Sequence, residues 1–128
     1  MAPVVDAVSI LGERGGSAML LVCRFVPAEA EREAFLARAR RAVALLAAQP
    51  GCEGVDLGRA IEEPGHWVLV ARFTTVTAYR RALQPFDVRE HVVPLLSEAL
   101  TDEPAAHERA LVADADGVTE HPSLLTDR

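Results

Sequence analysis

The run Met-Leu-Leu-Val-Cys-Arg-Phe-Val at residues 19–26 is apolar on both of its alternating faces. A strand of this kind cannot leave one face in water, because period-two alternation sends successive side chains to opposite sides of the sheet. One face must meet helices and the other must meet something else. A second run, Trp-Val-Leu-Val-Ala-Arg-Phe at residues 67–73, has the same character, with Trp67, Leu69, Ala71 and Phe73 on one face.

Between these runs the pattern changes period. Phe35, Leu36, Ala39, Ala42, Val43 and Leu46 recur at helical spacing, with Arg32, Glu33, Arg38, Arg40 and Arg41 on the other side. Pro27 suits a helix entry and Pro50-Gly51 a helix stop. Residues 52–61 return to alternation, with Val55, Leu57 and Ile61 against Gly54, Asp56, Gly58 and Ala60. The connection Glu62-Glu63-Pro64-Gly65 predicts a hairpin into the tryptophan-bearing strand.

Thr74 and Thr75 can cap a helix through Leu83, which Pro85 interrupts. Asp87 with Glu90 three residues on has the form of a capping box that restarts it. Val88, Val92, Leu95, Leu96 and Ala99 carry the apolar stripe onward, and Pro94 predicts a bend. Residues 105–113 read as a last strand. The order is βαββαβ, whose simplest closed solution is an α+β fold of the ferredoxin-like kind: a four-stranded antiparallel sheet with both helices on one face. The uncovered face then predicts a homodimer. The expected organisation is an arm at residues 1–17, with a short strand at residues 4–10, one domain at 18–113, and an acidic tail at 114–128.

Composition removes several function classes. The formal charge of -6 and the lack of a basic stripe argue against nucleic acid. No segment approaches the roughly 20 apolar residues of a membrane span, so a cytoplasmic protein without membrane partners is expected. All 13 basic residues are arginine, so lysine Schiff-base chemistry and the lysine-bearing phosphate loop are absent. Cys23 and Cys52 are the two cysteines; they make no disulfide framework, and His66, His91, His107 and His121 lack ligand-like spacing, so no metal site is expected.

Residues 20–112 resemble the antibiotic biosynthesis monooxygenase (ABM) family of dimeric αβ-barrel proteins. The resemblance is carried by Gln49-Pro-Gly-Cys52 at the end of the first helix, the glycine-spaced strand after it, the strand at residues 66–73, and Thr75-Val-Thr-Ala-Tyr-Arg80 opening helix two. It implies a pocket between sheet and helices for a small hydrophobic, aromatic or polyketide-like molecule, worked on without a cofactor by a monooxygenase or cyclase. The family's quinone-forming oxygenases place an asparagine and, four residues on, a tryptophan on strand three; here those positions hold Leu69 and Phe73, and the chain contains no asparagine. Tyr79 matches the tyrosine that opens helix two. The haem-degrading members use an asparagine, a helical aromatic and a histidine; only the histidine has a counterpart, His91, and Arg81 falls at the aromatic position. Haem binding is therefore the least favoured reading.

The candidate catalytic residues are His91, able to act as base or ligand near neutral pH, and Tyr79, able to set its hydroxyl over a bound ring. The candidate pocket lining is Trp67, Leu69, Phe73, Phe86 and Arg72. Core packing is the more ordinary account of Trp67 and Phe73, and the mid-strand Cys23 reads as a small core residue rather than a nucleophile. Arg24 and Arg72, among apolar strand neighbours, need carboxylate or anionic partners, with Asp56 or Glu108 as the ordinary ones. The competing function is a non-catalytic ligand-binding or assembly protein on the same fold.

Overall fold

Residues 18–123 are described by a computed structural model. The expected arm and its strand at residues 4–10, and the end of the tail at 124–128, lie outside the described residues. Strand β1 is Met19–Phe25; a 3-10 turn at Glu29–Glu31 leads into helix α1, Arg32–Ala47; β2 is Cys52–Arg59 and β3 Trp67–Phe73. Helix two is three short pieces: α2 Val76–Ala82, α3 Phe86–His91 and α4 Val93–Leu96. Strand β4, Ala106–Glu108, completes a sheet of order β2-β3-β1-β4, antiparallel at every pair. This is the ferredoxin-like α+β architecture.

The register explains which face is dry. Met19 lies opposite Phe73, Leu21 opposite Ala71, Cys23 opposite Leu69 and Phe25 opposite Trp67. All eight are buried, together with Phe35, Ala39, Ala42 and Leu46 of α1 and Val88, Val92 and Leu95 of the later helices. Val55 and Leu57 pair with Ala71 and Leu69, extending this face into β2. The alternate residues Leu20, Val22, Val68 and Val70 point the other way and are only half-buried. Arg72 sits on that open face 3.4 Å from Asp56, one of the predicted partners, whereas Arg24 pairs at 3.1 Å with Glu103 and not with Glu108.

Several sequence expectations are corrected. The entry to α1 is delayed from Pro27 to Arg32 by the 3-10 turn. Ile61 is past the end of β2 and 95% exposed, because pairing with β3 ends at Arg59 opposite Trp67. Thr75 caps α2, its hydroxyl accepting from the Ala78 amide at 2.9 Å. Asp87 does not cap α3: Pro85 is the cap residue and Asp87 stands in the first turn, where a carboxylate still meets the positive end of the helix dipole. Pro94 does more than bend the helix. It has no N–H to donate, and its ring would press on the carbonyl four residues back, so the helix breaks at Val92 and restarts with Pro94 in the first turn of α4.

The predicted last strand, 105–113, is also divided. Strand β4 runs antiparallel to β1, so its pairing descends β1 and reaches Ala18 with the Arg109 amide donating to the Ala18 carbonyl at 2.9 Å. The chain then leaves the sheet. Leu111–Asp114 (β5) pairs instead with Gly117–Glu120 (β6), closed by the Asp116 amide on the Asp114 carboxylate at 2.8 Å. The hairpin straddles the expected domain limit at residue 113.

Candidate functional site

The described cavity that best suits a small molecule opens between the β1 end of the sheet and the broken helix two. It is an open hollow of about 450 Å³, within the range of ligand pockets. Leu21 and Cys23 of β1 make its floor, Tyr79 and Leu83 one wall, Leu96 another, and residues 97–105 the rim. The helix break at Val92 shapes it: the short α4 packs on α1 and α3 with Leu95 buried, and the chain after it crosses the rim.

Tyr79 is positioned from two sides. Its amide donates to the Thr75 carbonyl at 3.2 Å within the capped turn, and its ring stands edge-on to Phe73 with centroids 5.5 Å apart. Burial raises its hydroxyl above the usual tyrosine value. Burial likewise raises the Cys23 thiol. Both groups therefore enter at neutral pH as protonated, uncharged donors in an apolar chamber. Such a chamber can bind a planar hydrophobic molecule and donate a hydrogen bond to its oxygen.

The other predicted residues are not gathered there. His91 lines a separate groove of about 200 Å³ between α1 and α3, with Arg38, Arg41, Glu90 and Pro94. Its Nδ1 lies 3.3 Å from an Arg41 Nη1 and its Nε2 3.7 Å from Glu90. Arginine only donates, so Nδ1 must accept and the proton of a neutral ring sits on Nε2, towards the carboxylate. With Arg38, Arg41 and Glu90 lining its groove, this histidine lacks the apolar surroundings that would suit an axial haem ligand.

Trp67 is packed between Phe35, at 5.9 Å, and the Arg59 guanidinium, at 4.9 Å, and its buried Nε1 has no hydrogen-bond partner among the described residues. Leu69 and Phe73 are closed in the core, Phe73 reaching the cavity only through its contact with Tyr79. Phe86 opens α3 with 68% of its surface exposed, and Arg72 lies on the opposite face of the sheet. Of the seven predicted residues, the cavity lining includes Tyr79. Sequence reasoning missed Cys23, Leu21, Leu83 and Leu96 as lining. Their periodicity marks them as facing inward, which is the same signal a filled core leaves. Among the described residues no cluster of three or more histidine, cysteine, aspartate or glutamate side chains could hold a metal ion, and no helix is long and apolar enough to cross a membrane.

A four-stranded antiparallel sheet with a broken second helix and a hollow between them is an α+β architecture of the ferredoxin-like class. The chain belongs to the antibiotic biosynthesis monooxygenase family, whose profile matches residues 19–92, from the start of β1 into the end of helix α3. Leu21, Cys23, Tyr79 and Leu83 fall inside the matched segment, and the rim beyond Val92 falls outside it. No curated protein matches the chain. Solved structures share the fold. Rv0793 from Mycobacterium tuberculosis is 23% identical with a TM-score of 0.61, covering 77% of this chain and 99% of its own. SnoaB, a cofactor-independent oxygenase from Streptomyces nogalater solved as a mutant, is 23% identical with a TM-score of 0.57, covering 87% and 99%. A conserved protein from Methanosarcina mazei is 14% identical with a TM-score of 0.61, covering 76% and 96%.

Proposed function

We propose that the protein binds a small aromatic or polyketide-like molecule in the cavity beside Tyr79 and oxidises it as a cofactor-independent monooxygenase. The observation that carries this reading is the apolar chamber of about 450 Å³ with a protonated Tyr79 hydroxyl on its wall, in a member of this family. An electron-rich phenol or anthrone-like methylene supplies the electrons itself. The CH2 of an anthrone, or the ring C–H para to a phenol hydroxyl together with the loss of the hydroxyl hydrogen, becomes a carbonyl, one atom of dioxygen entering the product and the other leaving in water. Tyr79 donates a hydrogen bond to the substrate oxygen as negative charge develops there, and the apolar walls keep water from competing.

Oxygen uptake with a panel of anthrone and naphthol compounds tests this. Tyr79→Phe should lower turnover by about a hundred- to a thousandfold, the range for loss of one donor at a developing oxyanion. His91→Ala belongs in the same assay, because a loss as large as that of Tyr79→Phe would move the reacting atoms to the His91 groove. A second reading, ligand holding without catalysis, is favoured by one observation: the strand-three positions where the resemblance implies an amide and an indole hold Leu69 and Phe73, both closed in the core. Saturable binding with no oxygen uptake by any panel member would select it.

The same reading includes a homodimer. Leu20, Val22, Val68 and Val70 form a half-buried apolar centre on the open sheet face, flanked by Arg72 and Asp56, a self-complementary arrangement for two-fold packing. A dimer mass at micromolar concentration is expected in size-exclusion chromatography with light scattering; a monomer there removes the dimer from the proposal.

A further inference from the structure

The rim of the cavity is tied to the sheet at three points, all on one strand. The Leu100 amide donates to the Arg24 carbonyl at 2.8 Å, the Val22 amide donates to the Ala105 carbonyl at 2.8 Å, and Arg24 Nη1 lies 3.1 Å from Glu103 Oε1. Strand β4 covers β1 only along Met19 to Leu21. Beyond that point residues 101–104 take its place along the β1 edge, with neither helix nor strand of their own and all four exposed. Leu100, Thr101, Glu103 and Ala105 border the cavity, whose floor is shut: Cys23 is only 3% exposed.

We propose that residues 101–104 form a strap that governs entry to the cavity, with the Arg24–Glu103 ion pair as its latch. A segment with so little buried surface belongs to the part of a fold that opens locally, and the groups that hold it set how often it does so. Arg24 is suited to the role because it holds the strap twice, by its carbonyl at Leu100 and by its guanidinium at Glu103. A planar molecule reaches Leu21 and Cys23 when the strap swings away from β1, and the latch closes over it. The pair is exposed on both sides, so salt weakens it. This inference rests on the cavity being the ligand site, yet its test needs no substrate, so the two can fail separately.

Cys23 reports the opening from inside the cavity. N-ethylmaleimide labelling followed by peptide mapping gives its rate alongside that of Cys52, a control at the far end of the sheet opposite Phe73. Hydrogen exchange of the Leu100 amide reports the same event without the thiol. Glu103→Gln should raise both rates about two- to fivefold, the range for an exposed ion pair. High salt should accelerate both in the natural chain and neither in the Glu103→Gln variant. Joining Arg24→Glu to Glu103→Arg should return both rates to within about twofold of the original. Because Arg24 lies on the open sheet face, its variants are compared at equal assembly mass. Unchanged rates in Glu103→Gln overturn the latch, and so does faster Cys23 labelling with an unchanged Leu100 amide, which traces to thiol ionisation instead. A charge-swapped chain that labels as fast as the single variants overturns it as well.

Discussion

Replacing Phe73 by alanine is expected to cost about 3–5 kcal/mol of folding free energy, the range for an aromatic side chain removed from a closed core. Phe73 has no exposed surface, ends β3 opposite Met19 on one side and Cys52 on the other, and meets the Tyr79 ring edge-on. It thus joins both neighbouring strands to α2. The aromatic contact alone is worth about 0.5–1.5 kcal/mol beyond burial. Its neighbours cannot flow into the space, because Met19 is held in the register of β1 and Tyr79 by the capped turn of α2. A domain of this size has about 5–15 kcal/mol in total, so the loss is a large fraction. Urea unfolding followed by circular dichroism should show the midpoint falling with the slope unchanged. A loss below about 1.5 kcal/mol would mean that the site collapses freely and that Phe73 does not brace Tyr79.

The second large effect is expected at Gly51. Its φ of 85° belongs to the left-handed region, and a Cβ placed there would stand 2.5 Å from the Ala78 Cβ and 3.1 Å from the Thr74 hydroxyl oxygen. Gly51→Ala therefore combines a backbone penalty of about 1–2 kcal/mol with overpacking of about 1–3 kcal/mol. The sum, about 2–5 kcal/mol, falls on the contact that seats the start of α2, since the Gly51 carbonyl accepts the Thr74 amide at 2.8 Å. Gly58→Ala is the comparison. Gly58 has an ordinary strand backbone and a Cβ there would touch Val68 at 3.4 Å, an ordinary contact, so a change within about 0.5 kcal/mol is expected. Thermal unfolding of the two variants side by side checks the pair; equal effects would mean that residues 49–52 can shift away from α2.

The order of strands and helices was legible in the chain itself, because periodicity is local. Alternation at residues 19–25 and 67–73 states which residues share a face, and the recurrence from Phe35 to Leu46 states which side of α1 is dry. The Thr75 cap was legible for the same reason: a hydroxyl three residues before a free amide is a local arrangement. The two-sided apolar character of β1 and β3 likewise predicted a helix-covered face, which is buried, and a second face covered by another copy, which in the single chain is half-buried.

Only the tertiary structure decided the site. An inward-facing residue has the same sequence signature whether it meets a filled core or an empty chamber. Leu69 and Phe73 meet the first, while Cys23 and Leu83 border the second. His91 and Tyr79 lie on consecutive pieces of one predicted helix, yet the break at Val92 and the turn after Leu83 aim them at different hollows. The split of the final strand followed from where β1 begins, a fact about another part of the chain. Local pattern names the side of an element a residue occupies; where elements stop relative to one another depends on contacts distant in sequence, and the cavity is made at those stops.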